Sequence, residues 1–537
     1  MKRALLMLSP FLLALLAESC SSSDSPNNGV PSPSGGSGSS SGGGHAGSVP
    51  SGGTGASANA AGDAGAPSEG GSAGAESNAG AAGELGEGGA AGAPGPVVPF
   101  DGSCATLPGR IVYIESGDTQ ENLLKNLGRK LRDTANISLA YTLTGSCTLT
   151  PDLYNGTKIA PNTALKYIPS SAEDPAWMPA AAALTCTTGA EGTPIDLGIS
   201  ALFTESCGLG GPPADSHLEL IQGPIQAYTF IVPTVSTQTA ISAEEAYYVF
   251  GFGDANPLAP TYDPWNNHLH MFIRPPTKST LVATAKNIGL EPAKWKGVPL
   301  AASSDVVSST ATSAAADAIG ILGSEVYDGN RNKGIRTLAF QAVGQTAAFF
   351  PDSTASAFDK QNVRDGHYTL WSPTVYITET DAAHKPTNPA VRYLVDLVLG
   401  HANASPPGGG AKIEGLADVV KVGLIPECAM KVTRSSDGGA LSPFGPDEPC
   451  TCYYLSQIPG ASGTPAGCTA CSKDSACNGG TCNHGFCEPN AVDTSGSTVS
   501  GCVSTTPNSN AELMNACTNA QAIQKTIVLP NPKQPPP

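Results

Sequence analysis

The stretch that decides the fold runs from Arg110 to Asp133 and reads "RIVYIESGDTQENLLKNLGRKLRD". The apolar run from Ile111 to Ile114 is typical of a buried strand, and a polar turn follows at Ser116 to Thr119. Leucines then recur at helical spacing from Leu123 to Leu131, which predicts a helix with one apolar face. The stretch therefore predicts a strand, a turn and a helix.

The residues around this stretch extend it to a larger unit. Asp118, followed three residues later by Glu121, resembles a capping box, so we expect the helix to begin beside the polar turn. The segment "ISLAYTLT" (137–144) predicts a second strand that ends at Gly145 and Ser146. A strand, a helix and a strand at this spacing indicate a parallel α/β unit.

Two later segments continue the α/β pattern. "IQAYTFIVPTVSTQTAISAEEAYYVFGFG" (225–253) predicts a long apolar strand and then a helix with Ser242 as its N-cap. "NPAVRYLVDLVLG" (388–400) has apolar residues at helical spacing, and Gly400 stands where a left-handed residue ends many helices.

The amino terminus predicts export. Residues 1–20 have a basic start and an apolar run that is too short to span a bilayer, which is typical of a signal peptide. The segment "LLAESC" and the serines after it resemble a bacterial lipoprotein start, which implies lipidation of Cys20. Ordinary signal cleavage after Ser19 is the alternative, because Ala17 and Ser19 also form a small-x-small site.

Both ends of the remaining chain have compositions that do not support a core. Residues 21–98 consist almost wholly of Ser, Gly, Ala, Pro and Asn, so we expect a disordered tether. Residues 526–537 form a proline-rich tail that we expect to be loose.

The formal net charge of −17 argues against nucleic-acid binding, because no basic stripe is present to displace counterions.

The chain has 15 cysteines, which in an exported protein predict disulfides. Lipidation of Cys20 would leave an even number, although the sequence does not reveal their pairing. The cysteines between residues 468 and 487 predict a small disulfide knuckle rather than a zinc site. The expected disulfide residues are Cys104, Cys147, Cys186, Cys207, Cys428, Cys450, Cys452, Cys468, Cys471, Cys477, Cys482, Cys487, Cys502 and Cys517.

The order of these segments resembles the periplasmic solute-binding proteins of the phosphate-importer kind. The motifs that carry the resemblance are the 116–119 turn, Gly145-Ser146, "DLGISA" (196–201), "ISAEEAYYVFGFG" (241–253), "RPPTKST" (274–280), "DAIGIL" (317–322) and "VRDGHYTLWSPTVYI" (363–377). The resemblance implies an α/β, two-lobed type 2 periplasmic-binding-protein fold over residues 104–433. A disulfide-rich module with a C-terminal helix would follow over 434–525.

The resemblance also implies a hinge and a ligand site. The strands near Gln226–Val232 and Gly334–Phe340 would form the hinge, and the helix start after Arg274 would cradle an anion, because its N–H groups are unpaired. The expected ligand-binding residues are Ser116, Thr119, Ser146, Ser200, Arg274, Thr277, Ser279 and Thr280. Ala201 stands where the family has a carboxylate, so we expect a shift towards fully ionised oxyanions, unless Asp118 supplies the acceptor.

Other candidate sites are weaker. His268 and His270 lie two residues apart on a predicted strand, but no nearby carboxylate or cysteine completes a metal site. We expect no metal, no cofactor and no enzymatic activity, because the sequence has no placed nucleophile motif or zinc signature.

The sequence therefore predicts a solute-binding lipoprotein of the cell envelope. It would be lipid-anchored in the periplasm or at the outer membrane and would capture a small oxyanion, phosphate or a related anion, in a cleft between its lobes. An ABC importer or an envelope protein would be its partner. The alternative is a structural or adhesion lipoprotein, in which the binding fold is a ligand-free scaffold and the cysteine-rich module contacts a partner.

Overall fold

The computed structural model describes residues 100–256, 264–313, 315–401, 403–488 and 501–525. These residues belong to one compact unit. The predicted signal peptide, Cys20, the tether and the tail lie outside the described residues. No helix in the described ranges is long and apolar enough to cross a membrane.

Strands and helices alternate through most of the described chain. The strands are β1 Arg110–Gly117, β2 Ile137–Thr144, β3 Ala164–Tyr167, β4 Leu184–Thr187, β5 Leu197–Ser200, β6 Leu218–Pro233, β7 Ala240–Ser242, β8 Met271–Ile273, β9 Val298–Pro299, β10 Ile319–Gly323, β11 Ile335–Thr337, β12 Ala339–Gln341, β13 Ala348–Phe349, β14 Trp371–Glu379, β15 Val432–Thr433, β16 Ser442–Pro443, β17 Thr469–Ala470, β18 Cys482–Asn483, β19 Phe486–Cys487 and β20 Ala522–Ile523. The α-helices are α1 Glu121–Ala135, α2 Ser146–Tyr154, α3 Ala243–Phe252, α4 Ser279–Ile288, α5 Ser303–Thr312, α6 Ser324–Asp328, α7 Gln361–Asp365, α8 Pro389–Leu399, α9 Gly415–Lys421, α10 Thr451–Gln457 and α11 Asn510–Met514.

The main sheet divides into two halves that share the long strand β6. Its order is β4-β3-β2-β1-β5-β14-β6-β10-β8-β9, and β11 also pairs with β6. Strand β6 pairs with β14 from Leu218 to Ala227 and with β10 from Tyr228 to Ile231. One strand therefore joins a first lobe built on β1–β5 to a second lobe built on β8–β10.

Each lobe has its own apolar core. In the first lobe, Leu127 of α1 and Leu394 of α8 are buried in one cluster. In the second lobe, Phe230, Phe250 and Phe340 are buried in another, which α3 and α4 complete. The expected α/β two-lobed fold is confirmed, and the helices form because their apolar residues repeat at helical spacing and are buried against these sheets.

Local signals were mostly confirmed. Helix α3 has the expected N-cap, Ser242, whose hydroxyl accepts a hydrogen bond from the backbone N–H of Glu245 at 3.0 Å. Gly400 ends α8 with a φ of 79°, the left-handed conformation that glycine adopts without steric cost. Asp118 is different, because it lies in a 3-10 turn and its side chain does not cap α1.

Two expectations about later elements are wrong. Residues 334–340 do not cross between the lobes, because β11 pairs with β6 and β12 pairs with β7 and β13, all within the second lobe. The chain returns to the first lobe at β14, which pairs with Leu218–Ala227 of β6 and with β5. The expected C-terminal helix is only α11, since the chain after it is tied by the Cys502–Cys517 disulfide and then pairs as β20 with β13.

Fourteen cysteines form seven disulfides in the described part of the chain, as the even number predicted. The pairs are Cys104–Cys186, Cys147–Cys207, Cys428–Cys450, Cys452–Cys468, Cys471–Cys482, Cys477–Cys487 and Cys502–Cys517. We call residues 434–525 the C-terminal region and residues 104–433 the body. The C-terminal region packs on the body, where Lys525 forms an ion pair with Glu245 at 2.6 Å.

Candidate functional site

The candidate site lies where the carboxyl ends of strands from both lobes meet. In the first lobe, β1 ends at Gly117 and leads into the Asp118 turn. In the second lobe, the parallel strands β8 and β10 end beside each other, at Ile273 and Gly323. The carboxyl ends of parallel strands are a common position for ligand sites in open α/β sheets.

The two lobes touch directly at this site. The ammonium group of Lys278 donates to the backbone oxygen of Thr144 at 3.2 Å. A Cβ at Gly145 would lie 3.3 Å from the backbone oxygen of Thr277, so the absence of a side chain at Gly145 permits this approach. The loops of the two lobes are therefore in contact.

Arg274 is the central cation of the site. It follows β8 directly and is 1% exposed. Its Nη1 donates to the backbone oxygen of Leu300, and its Nη2 donates to Asp118 Oδ2, both at 2.8 Å. Its Nε is buried and has no hydrogen-bond partner among the described residues. Burial lowers the pKa of Arg274, and the negative charge of Asp118 opposes that shift.

Asp118 brings a carboxylate from the first lobe to the cations of the second. Besides its bond to Arg274, Asp118 Oδ2 lies 3.4 Å from Lys278 Nζ. Two cations and one carboxylate therefore meet across the cleft, and their formal charges sum to one positive charge. This arrangement could attract an anion, and Asp118 could accept a hydrogen from it.

The start of α4 supplies backbone donors. Lys278 is its N-cap residue, and its side chain forms no cap hydrogen bond. Ser279 and Thr280 are its first two residues and are buried, whereas Thr277 is exposed in the preceding loop. Burial raises the pKa of Tyr228, a residue of β6, and the side chain of Ser279 opposes that shift.

The predicted hydroxyls of the first lobe separate into two groups. Ser146 Oγ and Thr119 Oγ1 lie 3.7 and 3.9 Å from the position of a Cβ at Gly117. Thr119 Oγ1 is buried and without a partner in the part of the chain that the structure describes. Ser116 donates to the backbone oxygen of Gly117, and Ser200 donates to that of Leu202, so these two hydroxyls are used locally.

Sequence reasoning missed Glu325, which lies in the first turn of α6 directly after β10. Gln226 Nε2 donates to Glu325 Oε1 at 2.9 Å, while Glu325 Oε2 and the hydroxyl of Ser324 are buried without a partner in the described ranges. Burial raises the pKa of Glu325 to about 8, and the charge of Asp118 contributes to that shift. The sequence signal was a Ser-Glu pair at the end of an apolar strand.

The two histidines do not form a pair. They lie in a 3-10 helix rather than a strand, His268–His270. His268 Nδ1 contacts Asp254 at 2.6 Å, and His270 Nδ1 contacts Asp317 at 2.9 Å. Each ring therefore has its own carboxylate partner, which the sequence did not indicate because neither partner is adjacent to it in the chain.

Comparisons with known proteins found similarity only among solved structures. No family model matches the chain, and no curated protein matches its sequence. An ABC-type phosphate transport receptor from Vibrio cholerae is 11% identical, with 58% of this chain and 99% of that chain covered and a TM-score of 0.38. PstS from Borrelia burgdorferi is 13% identical, with 59% and 98% covered and a TM-score of 0.34. An OxyR C206 mutant from Corynebacterium glutamicum is 8% identical, with 53% and 61% covered and a TM-score of 0.29.

Proposed function

We propose that this chain is a solute-binding lipoprotein of the cell envelope that captures a small oxyanion, phosphate or a related anion, between its lobes. The observation that carries the proposal is Arg274, a buried guanidinium at the cleft whose Nε has no partner in the described chain. A guanidinium binds an oxyanion through two parallel hydrogen bonds, one of which Nε can supply. The amino end of α4 and Lys278 add positive potential beside it.

Asp118 changes the expected anion preference. Its carboxylate is hydrogen-bonded to Arg274 and lies close to Lys278, so a bound anion would lie beside a negative charge. An anion that keeps a proton can donate it to Asp118, whereas sulfate has none at neutral pH. Under this proposal, Asp118 replaces the carboxylate missing at Ala201, and the site prefers hydrogen phosphate to sulfate.

The remaining parts of the proposal concern location and partners. Cys20 would carry the lipid, residues 21–98 would act as the tether, and the C-terminal region would remain outside the membrane. An ABC importer or an envelope protein would receive the anion. The role is binding rather than catalysis, and neither a metal nor a cofactor is part of it.

Calorimetric titration of the full chain with phosphate and with sulfate, in oxidising buffer, tests the proposal. We expect saturable phosphate binding that Arg274→Ala weakens about 10- to 100-fold, because charge-assisted hydrogen bonds are lost. Arg392→Ala is the matched control, since Arg392 pairs with Asp381 on the surface of the first lobe. We expect Asp118→Asn to reduce the preference for phosphate over sulfate.

Two results would count against the proposal. If Arg392→Ala and Arg274→Ala weaken phosphate binding equally, the anion does not bind in the cleft. If titration of a folded sample with either anion releases or absorbs no heat, the alternative function of a ligand-free scaffold is favoured. The Asp118–Arg274 pair would then act as a permanent contact between the lobes.

A further inference from the structure

A cavity of about 510 Å³ lies beside the cleft and is far larger than an inorganic oxyanion needs. Asn122 and Asn126 of α1 line its first-lobe side, and Glu325 of α6 lines its second-lobe side. Val422 follows α9, and Tyr454 belongs to α10 of the C-terminal region. Three parts of the chain therefore enclose this one space.

Two residues that line the cavity lie near the ion pair of the cleft, one along the chain and one in the sheet. Asn122 lies in the first turn of α1, four residues after Asp118. Glu325 follows β10, the parallel neighbour of the strand that leads into Arg274. Each side of the cleft therefore contributes one cavity residue close to a segment of the anion site, and Glu325 also lies within reach of the charge of Asp118.

The walls of the cavity suit an organic group rather than a second ion. Val422, Tyr454 and Ile458 offer apolar or aromatic surface. The acidic residue Asp328 also lines the cavity, but its carboxylate is neutralised by Lys360 and Arg331, each at 2.6 Å. The asparagines of α1 add neutral polar groups. A wall of this kind stabilises a bound group mainly by removing apolar surface from water.

We infer that the ligand is an organic phosphoryl compound, a phosphomonoester or a phosphonate, whose oxyanion binds at Arg274 while its organic group fills this cavity. The inference rests on the proposed function, because it uses the same anion site. It also gives the C-terminal region a part in ligand binding, since α10 provides one wall of the cavity.

The test compares phenyl phosphate with inorganic phosphate by calorimetric titration of the full chain. We expect phenyl phosphate to bind about tenfold tighter or more, because its ring leaves water. Asn126→Trp on α1 and Ile458→Trp after α10 should each fill the cavity and abolish that advantage, while the affinity for phosphate stays within about twofold. Asn126→Ala is the matched control and should keep the advantage.

The outcomes separate this inference from the proposed function. If phosphate binds and phenyl phosphate binds no tighter, the inference is wrong and the anion site stands. The inference is also wrong if both tryptophan variants keep the full advantage in samples whose melting temperature matches that of the parent chain. If neither ligand binds to the folded parent chain, the anion site and the inference fail together.

Discussion

The body and the C-terminal region are stabilised by different means. In the body, large side chains such as Phe230 and Leu127 are fully buried in clusters that span several elements. In the C-terminal region, strands β16–β20 are two residues long each, and five of the seven described disulfides have at least one cysteine there. A short segment buries little apolar surface of its own, so covalent links supplement the few side chains, such as Tyr454 and Leu513, that it adds to the core of the body.

The largest effect is expected from a substitution in the core of the body. Phe230 stacks on Phe250 and Phe340 with ring centroids 5.7 and 5.9 Å apart. Phe230→Ala should lower the free energy of unfolding by about 3–5 kcal/mol, because it removes a buried ring and leaves a cavity. Chemical denaturation followed by circular dichroism measures this value.

The matched control for Phe230 is Phe444 of the C-terminal region, which is only partly buried against the core. We expect Phe444→Ala to destabilise the chain clearly less than Phe230→Ala, because less apolar area returns to water. If the two substitutions lower the free energy of unfolding equally, the C-terminal region has a core comparable to that of the body. The two regions would then not differ in how they are stabilised.

The same contrast explains what the sequence could predict. The fold of the body could be predicted because its sequence signals are periodic and local, as in α1, α8 and the N-cap at Ser242. The C-terminal helix was mispredicted because a disulfide and a strand pairing, both tertiary, override the helical pattern after Met514. Disulfide pairing itself depends on which cysteines the fold brings together.

The candidate site was only partly predictable for a related reason. Arg274 and the start of α4 were found, because a strand followed by a helix start is a local pattern. Asp118 was expected to cap α1 and was named as an alternative acceptor for the anion, but the sequence did not reveal its ion pair with Arg274, 156 positions away. Glu325 became recognisable only when the fold placed it beside Gln226, 99 positions earlier in the chain. Local sequence signals do not reveal contacts made across the two lobes.

An intermediate effect is expected where the C-terminal region is bonded to the body. Asp437 is 6% exposed, and its Oδ2 accepts hydrogen bonds from the backbone N–H of Phe203 at 3.1 Å and from Ser206 Oγ at 2.6 Å. The hydroxyl of Ser372 donates to Oδ1. Asp437→Asn should cost about 1.5–3 kcal/mol, because an amide nitrogen cannot accept the bonds that a carboxylate oxygen accepts.

Ser206→Ala is the matched control for Asp437→Asn, and the denaturation midpoints of the two variants are compared. Ser206→Ala removes one donor and leaves the other bonds of Asp437 in place, so we expect it to cost about 1 kcal/mol. If the two variants lose the same stability, Asp437 contributes no more than a single hydrogen bond, and the attachment of the C-terminal region must depend on its other contacts.

The smallest effect on the body is expected from a disulfide inside the C-terminal region. Cys471 and Cys482 are 11 positions apart, and replacing both with Ser should cost about 3 kcal/mol locally by the loop-entropy estimate. Most residues between Cys471 and Cys482 are exposed, so the free energy of unfolding of the body should change by less than about 0.5 kcal/mol. Hydrogen exchange should become faster only within residues 468–488.

The Cys147→Ser, Cys207→Ser double variant is the control, because that bridge ties α2 to the loop after β5 and should lower the midpoint of body unfolding. An equal fall of the body midpoint in both double variants would show that the two regions unfold as one cooperative unit, which their different means of stabilisation argue against.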